Sequence, residues 1–264
     1  MSPFPPPLPL LEVRLLGAFE LSRGGVLQGD KVWSRDSALE LFQFLLGYRG
    51  QCLARARILA ELWPEKDPQD AERDFKVALN ALNDALEPER PARQLARYLR
   101  RQGSSYGLAP DAPIALDAEA FEAEALAAAR VAEPEAATLL YRRALERYRG
   151  DYLPERLGRD WSAPQRERLQ SLFLTSATRL AQILAARGEA SEVLHWCARV
   201  LELDPLWEEA CRLLMRAHLG AGNRPGAVRA YRSFAGALEA ALGLEPMPAT
   251  TRLYAAALAG EESA

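Results

Sequence analysis

Tyr98-Leu99-Arg100-Arg101-Gln102-Gly103-Ser104-Ser105-Tyr106-Gly107-Leu108 reads as two short strands joined by a glycine and serine turn. Two arginines sit near its tip, and the run leading into it adds Arg90, Arg93 and Arg97 without one acidic residue. The chain as a whole has a formal net charge of −3, so this is a local reversal of charge, suited to holding phosphates.

Working back from the hairpin, the spacing predicts three helices. Ser34 is the expected N-cap of the first, whose apolar positions Ala38, Leu41, Phe42, Leu45 and Leu46 recur at helical intervals up to Gly47 or Gly50. A second runs from Arg55 to Trp63 and stops at Pro64; a third runs from Gln69 to Leu86 and ends before Pro88. Ahead of them, Leu11 to Leu16, Phe19 to Leu21, the Arg23-Gly24-Gly25 turn and Val26-Leu27 predict a small antiparallel sheet.

On the third helix Ala71, Phe75, Ala78, Leu79, Leu82 and Leu86 form a packing face, and Arg73, Lys76, Val77, Asn80 and Asn83 fall opposite. Arginine, lysine and asparagine are the side chains that bond guanine and adenine edges in the major groove. Against this, the helix carries Asp70, Glu72, Asp74 and Asp84, so four acids face two bases. Acids in the first turns favour the positive end of the helix dipole.

Downstream the chain repeats. Ala177 and Cys211, Leu180 and Leu214, Leu184 and His218, Gly188 and Gly222, Val193 and Ala227, and Cys197 and Tyr231 each lie 34 residues apart, the period of tetratricopeptide helix pairs. A less regular pair is expected over Asp117 to Ala132 and Glu135 to Arg147, followed by an insertion holding Gly150, Tyr152, Pro154 and Trp161. A last amphipathic helix after Pro248 caps the stack.

These residues carry a family resemblance. Leu11-Glu12-Val13-Arg14-Leu15-Leu16-Gly17, Leu62-Trp63-Pro64, the run Ala78 to Leu86 and the closing Gly103 to Leu108 resemble the OmpR-type winged helix at the head of SARP-like regulators. Leu203-Asp204-Pro205, Ala230-Tyr231-Arg232 and Leu242-Gly243-Leu244-Glu245-Pro246 resemble the bacterial transcriptional activator domain that follows it in such proteins. The expected fold is therefore mainly α: a proline-rich tail (1–9), a winged helix-turn-helix with small antiparallel β elements (10–110), and all-α tetratricopeptide-like repeats (111–264).

The resemblance implies a cytoplasmic transcription regulator, an activator that recruits RNA polymerase, on double-stranded DNA as a dimer or in tandem on direct repeats. By matching position, Arg73, Lys76, Val77, Asn80 and Asn83 would face the major groove, Arg100 and Arg101 would sit on the wing, and Arg35 would touch a phosphate; in a regulator of this kind Arg97 would be a further phosphate contact. The competing expectation, prompted by the acidic third helix, is a tetratricopeptide-like scaffold whose winged helix no longer binds DNA.

Other chemistries find little footing. Cys52, Cys197 and Cys211 lack the close spacing of a zinc site or a disulfide framework and suit a reducing cytosol. The lysines Lys31, Lys66 and Lys76 follow no glycine-rich loop, which argues against a Walker-type nucleotide site. No cofactor is expected. His195 and His218 fall in repeat helices and, like Trp161, Trp196 and Trp207, read as packing; no nucleophile and base are paired, so an enzyme is not expected. No run of apolar residues is long enough to span a bilayer.

Overall fold

The computed structural model describes residues 7–91 and 94–260. Arg93 of the arginine run and the tail up to Pro6 lie outside the described residues. The chain forms two compact units: one holds the residues up to Glu119 together with Arg149–Arg168, the other Ala120–Tyr148 and everything from Leu169. The boundary drawn from sequence at residue 110 falls inside the first unit.

The first unit opens with a meander, β1 (Leu11–Arg14), β2 (Glu20–Arg23) and β3 (Val26–Gln28). Leu11 and Val13 are buried while Glu12 and Arg14 are exposed, the alternation that fixes register in a sheet with one covered face. Gly24 and Gly25 turn β2 into β3 with φ of +56° and +80°, the double left-handed conformation of a type I′ hairpin. Helix α1 (Asp36–Gly47) follows; its N-cap is Arg35 rather than Ser34, and no side chain caps it. Then come β4 (Leu53–Ala54), α2 (Arg55–Leu62), α3 (Pro68–Leu86), the hairpin strands β5 (Leu99–Gln102) and β6 (Ser105–Leu108), and β7 (Ile114–Leu116).

Among the described residues the strands form two sheets, in the order β3-β2-β1-β7 and β4-β6-β5. The pairing of β7 is parallel to β1, so a short strand beyond the hairpin closes the first sheet. Gly107 has no room for a side chain, since a Cβ there would stand 2.2 Å from the Gln51 carbonyl oxygen. Gly107→Ala must therefore push β4 and β6 apart. It is expected to lower stability by about 1–3 kcal/mol, measured by chemical denaturation of the full chain.

The segment Arg149–Arg168 also belongs to this unit. The Leu153 N–H donates to the Leu15 carbonyl at 2.8 Å, the Gly17 N–H donates to the Asp151 carbonyl at 3.0 Å, and Leu16 bridges Tyr152. Trp161 packs edge-on against Phe44 of α1, centroids 5.5 Å apart. The stretch that reads as an insertion among the repeats is thus a strap lying on α1, and Trp161 fills the first unit's core instead of packing a repeat.

The second unit is helical: the continuation of α4 (Asp117–Arg130), α5 (Pro134–Arg147), the continuation of α6 (Ala163–Ala186), α7 (Ala190–Leu203), α8 (Glu208–Gly220), α9 (Arg224–Leu242) and α10 (Pro248–Ala259). The period shows in the backbone, because Gly188 and Gly222 end corresponding helices with φ of +75° and +68°. The small or apolar residues Ala177, Cys211, Val193 and Ala227 are all buried between helices. Tyr231 of α9 and Tyr254 of α10 stack at 4.0 Å, so α10 covers the end of the helical array. Burial pushes the Cys197 and Cys211 thiols up to about 12, which leaves them protonated and inert.

Candidate nucleic-acid interface

Helix α3 starts where Asp67-Pro68 presets the first turn, with Pro68 at a position that needs no N–H donor, and it stops before Pro88. One stripe, Ala71, Phe75, Ala78, Leu82, Ala85 and Leu86, is buried. The opposite row, Arg73, Lys76, Val77 and Asn80, is exposed, its i, i+3, i+4, i+7 spacing placing all four side chains on one face. Asn83 departs from that row. It is half-buried, its Oδ1 accepts no hydrogen bond, and with Leu79 it lines a cavity of about 1320 Å³ shared with Arg90, Arg97, Arg100 and Tyr106.

The acids of α3 are neutralised by neighbours. Arg73 lies 3.0 Å from Asp70 and 3.9 Å from Asp74, Arg55 lies 2.9 Å from Glu72, and Arg90 lies 3.5 Å from Asp84. Lys66 bonds Asp74, and this bond, with the charges of Lys66, Arg73 and Arg35, holds the Asp74 carboxyl below its ordinary value. Such exposed pairs add little stability. Their consequence is electrostatic: four carboxylates that alone would repel a polyanion carry cations of their own.

Arg35 is exposed at the start of α1, and its charge adds to those of Lys66 and Arg73 in holding the Asp74 carboxyl down. The hairpin turns at Gly103-Ser104 with Gly103 at φ +59°, the type II′ pattern. Arg101, opposite Tyr106 in register, donates from Nε to the Gly103 carbonyl at 2.9 Å and lies over the Tyr106 ring at 5.6 Å. That ring meets Phe75 of α3 edge-on at 5.0 Å, so the cationic tip is anchored through aromatic contacts to the buried side of α3. Arg100 is exposed on the neighbouring position.

Arg97 has a structural task in this unit. The Glu87 carboxylate, 8% exposed, accepts from the Arg97 backbone N–H at 2.6 Å and from the Tyr98 N–H at 3.3 Å, with the Arg97 guanidinium 3.7 Å away. It is a corner post between α3 and the hairpin. Two cations that the sequence reading left out of the site stand nearby: Arg55, whose backbone N–H donates to the Ser104 carbonyl of the hairpin turn at 2.9 Å, and Arg90 on the cavity wall. The charge of the run signalled Arg90; nothing local signalled Arg55.

No group of three or more metal-ligating side chains occurs among the described residues, and no described helix is long and apolar enough to cross a membrane. His195 is exposed against Trp196, and His218 is half-buried beside Asn223 with its pKa lowered by burial and by Arg229.

Residues 116–258 match the bacterial transcriptional activator domain family. The chain belongs to that family. Among solved structures, this SARP-like regulator shares its fold with EmbR of Mycobacterium tuberculosis, determined in complex with a low-affinity phosphopeptide. The match has a TM-score of 0.77 and 22% identity, and covers 97% of this chain and 67% of that chain. No curated protein matches the sequence. The family match begins at Leu116 and runs through the strap, so the family's sequence unit and the compact units of the fold divide the chain differently.

Proposed function

We propose that this regulator binds specific duplex DNA through its winged helix and activates transcription by holding RNA polymerase through its helical repeats. The observation that carries the reading is the exposed row Arg73, Lys76, Val77 and Asn80 on a helix whose carboxylates are all paired with cations. In a major groove about 12 Å wide such a helix fits, with arginine and lysine addressing guanine, asparagine addressing adenine, and Val77 offering an apolar contact to a thymine methyl. Arg100, Arg101 and Arg35 would hold phosphates on either side and set register without reading sequence. Asn83, turned toward the hairpin, is better suited to a backbone contact at the cavity mouth than to a base edge. Dimeric or tandem binding to direct repeats, and a cytoplasmic location, are part of the same proposal.

The scaffold alternative drew its support from the acidity of α3. Pairing of Glu72, Asp74 and Asp84 with Arg55, Lys66 and Arg90 weakens that support, and Asp70 is left to Arg73 of the reading row. In vitro selection of the full chain against a randomised duplex library tests the proposal: enrichment of a defined motif is the expected result, and recovery of no sequence preference would contradict it. On the selected motif, Asn80→Ala is expected to relax preference at one or two base pairs by about 1–3 kcal/mol of discrimination, read from affinities for single-base variants. An equal loss on every variant would deny Asn80 a reading role.

A further inference from the structure

The strap Arg149–Arg168 is tied to α1 by polar groups that are costly to bury. Arg156, with its side chain 10% exposed, grips Asp36 in a fork, Nη1 to Oδ2 at 3.0 Å and Nη2 to Oδ1 at 2.6 Å. Its Nε donates to Gln43 Oε1 at 2.8 Å, and Gln43 Nε2 donates to Glu155 at 2.6 Å. One turn along, Arg159 holds the buried Glu40 at 2.7 Å. Leu153, just before Pro154 in this segment, is the one non-glycine residue at positive φ among the described residues, at +48° and fully buried. Strain of that kind persists only where the surroundings hold it in place.

Asp36 is the first residue of α1, and Arg35 is its N-cap. We infer that Arg156 is a positioning residue for DNA binding: by gripping Asp36 it fixes the start of α1 and aims Arg35 at a backbone phosphate. The inference rests on the reading that the winged helix binds DNA. A strap encoded after α5 is then a working part of the DNA-binding unit, and the first 110 residues lack a component of their own phosphate contact.

Asp36→Asn separates positioning from simple electrostatics, since the two give opposite signs. Removing an exposed negative charge beside a DNA phosphate should by itself strengthen binding. If the fork aims Arg35, the same substitution weakens binding.

The test uses the full chain, a fluorescent duplex bearing the selected motif, and anisotropy titrations over a series of salt concentrations. Asp36→Asn and Arg156→Ala are expected to weaken binding about three- to tenfold and to reduce the log–log salt slope by about 0.9, the loss of one phosphate contact. In an Arg35→Ala background neither should weaken binding further, and Asp36→Asn should tighten it slightly through the lost negative charge, whereas a general loosening of the unit would add to the loss. If Arg156→Ala fails to fold, as judged by circular dichroism, Asp36→Asn carries the test, its partner side chain remaining bonded to Gln43. Unchanged or tighter binding by Asp36→Asn, while Arg35→Ala and Arg100→Ala each weaken it, overturns the positioning role and leaves the winged-helix reading standing. Absence of binding by the unsubstituted chain overturns both.

Discussion

Asp117→Ala is expected to destabilise the first unit strongly, by about 3 kcal/mol. The Asp117 carboxylate accepts three backbone N–H bonds, from Leu15 at 2.8 Å, Leu16 at 3.1 Å and Ala118 at 2.8 Å. Leu15 and Leu16 are each 1% exposed, so alanine strands two N–H groups where water does not reach them. Each buried unsatisfied donor costs roughly 1–3 kcal/mol, a large share of a total stability of about 5–15 kcal/mol. The same carboxylate fixes the crossover from β1 toward the strap, since the next backbone groups along, the Leu15 carbonyl and the Gly17 N–H, bond Leu153 and Asp151. Burial pushes the Asp117 pKa up against the downward pull of the three donors. Asp117→Asn should fall between the two, because its amide nitrogen would confront one of the donors. Urea denaturation of the full chain measures both, and a loss below about 1 kcal/mol for alanine would mean that water enters the site.

The second large effect concerns affinity. Replacing Arg100 and Arg101 together with alanine is expected to weaken duplex binding about 10- to 100-fold on every sequence tested and to reduce the salt slope by about two, at roughly 0.9 per phosphate contact. Arg100 is exposed, with its guanidinium bonded to the Gln102 amide oxygen, while Arg101 is held over Tyr106 near the turn. Neither lies in the α3 row, so preference among base variants should stay unchanged. Loss confined to one motif would mean that the wing reads bases.

The hairpin, the helices that precede it and the 34-residue period were legible because each is local: turn glycines, prolines and apolar spacing act within a few residues. What stayed hidden is what two distant segments make together. Arg156 meets Asp36 across 120 residues, and nothing in Pro154-Glu155-Arg156 announces that partner. Strand β7 is three residues long and gains its order from β1, so no local pattern marks it. Asn80 and Asn83 look equivalent on a helical wheel. Only the hairpin packed beside Leu79 and Asn83 separates them. Likewise nothing local to Arg97 announces Glu87 beside it. The acids of α3 counted against DNA binding for the same reason, because Arg55, Lys66 and Arg90, which neutralise three of them, lie outside the helix.

Hydrogen–deuterium exchange of the full chain, with and without a saturating duplex bearing the selected motif, tests most directly whether the winged helix is where DNA sits. Added protection over α3 from Arg73 to Asn83, over the hairpin from Leu99 to Leu108 and at the start of α1 is the expected result. Protection confined to the helices α5 to α10, or none in either unit, would contradict it.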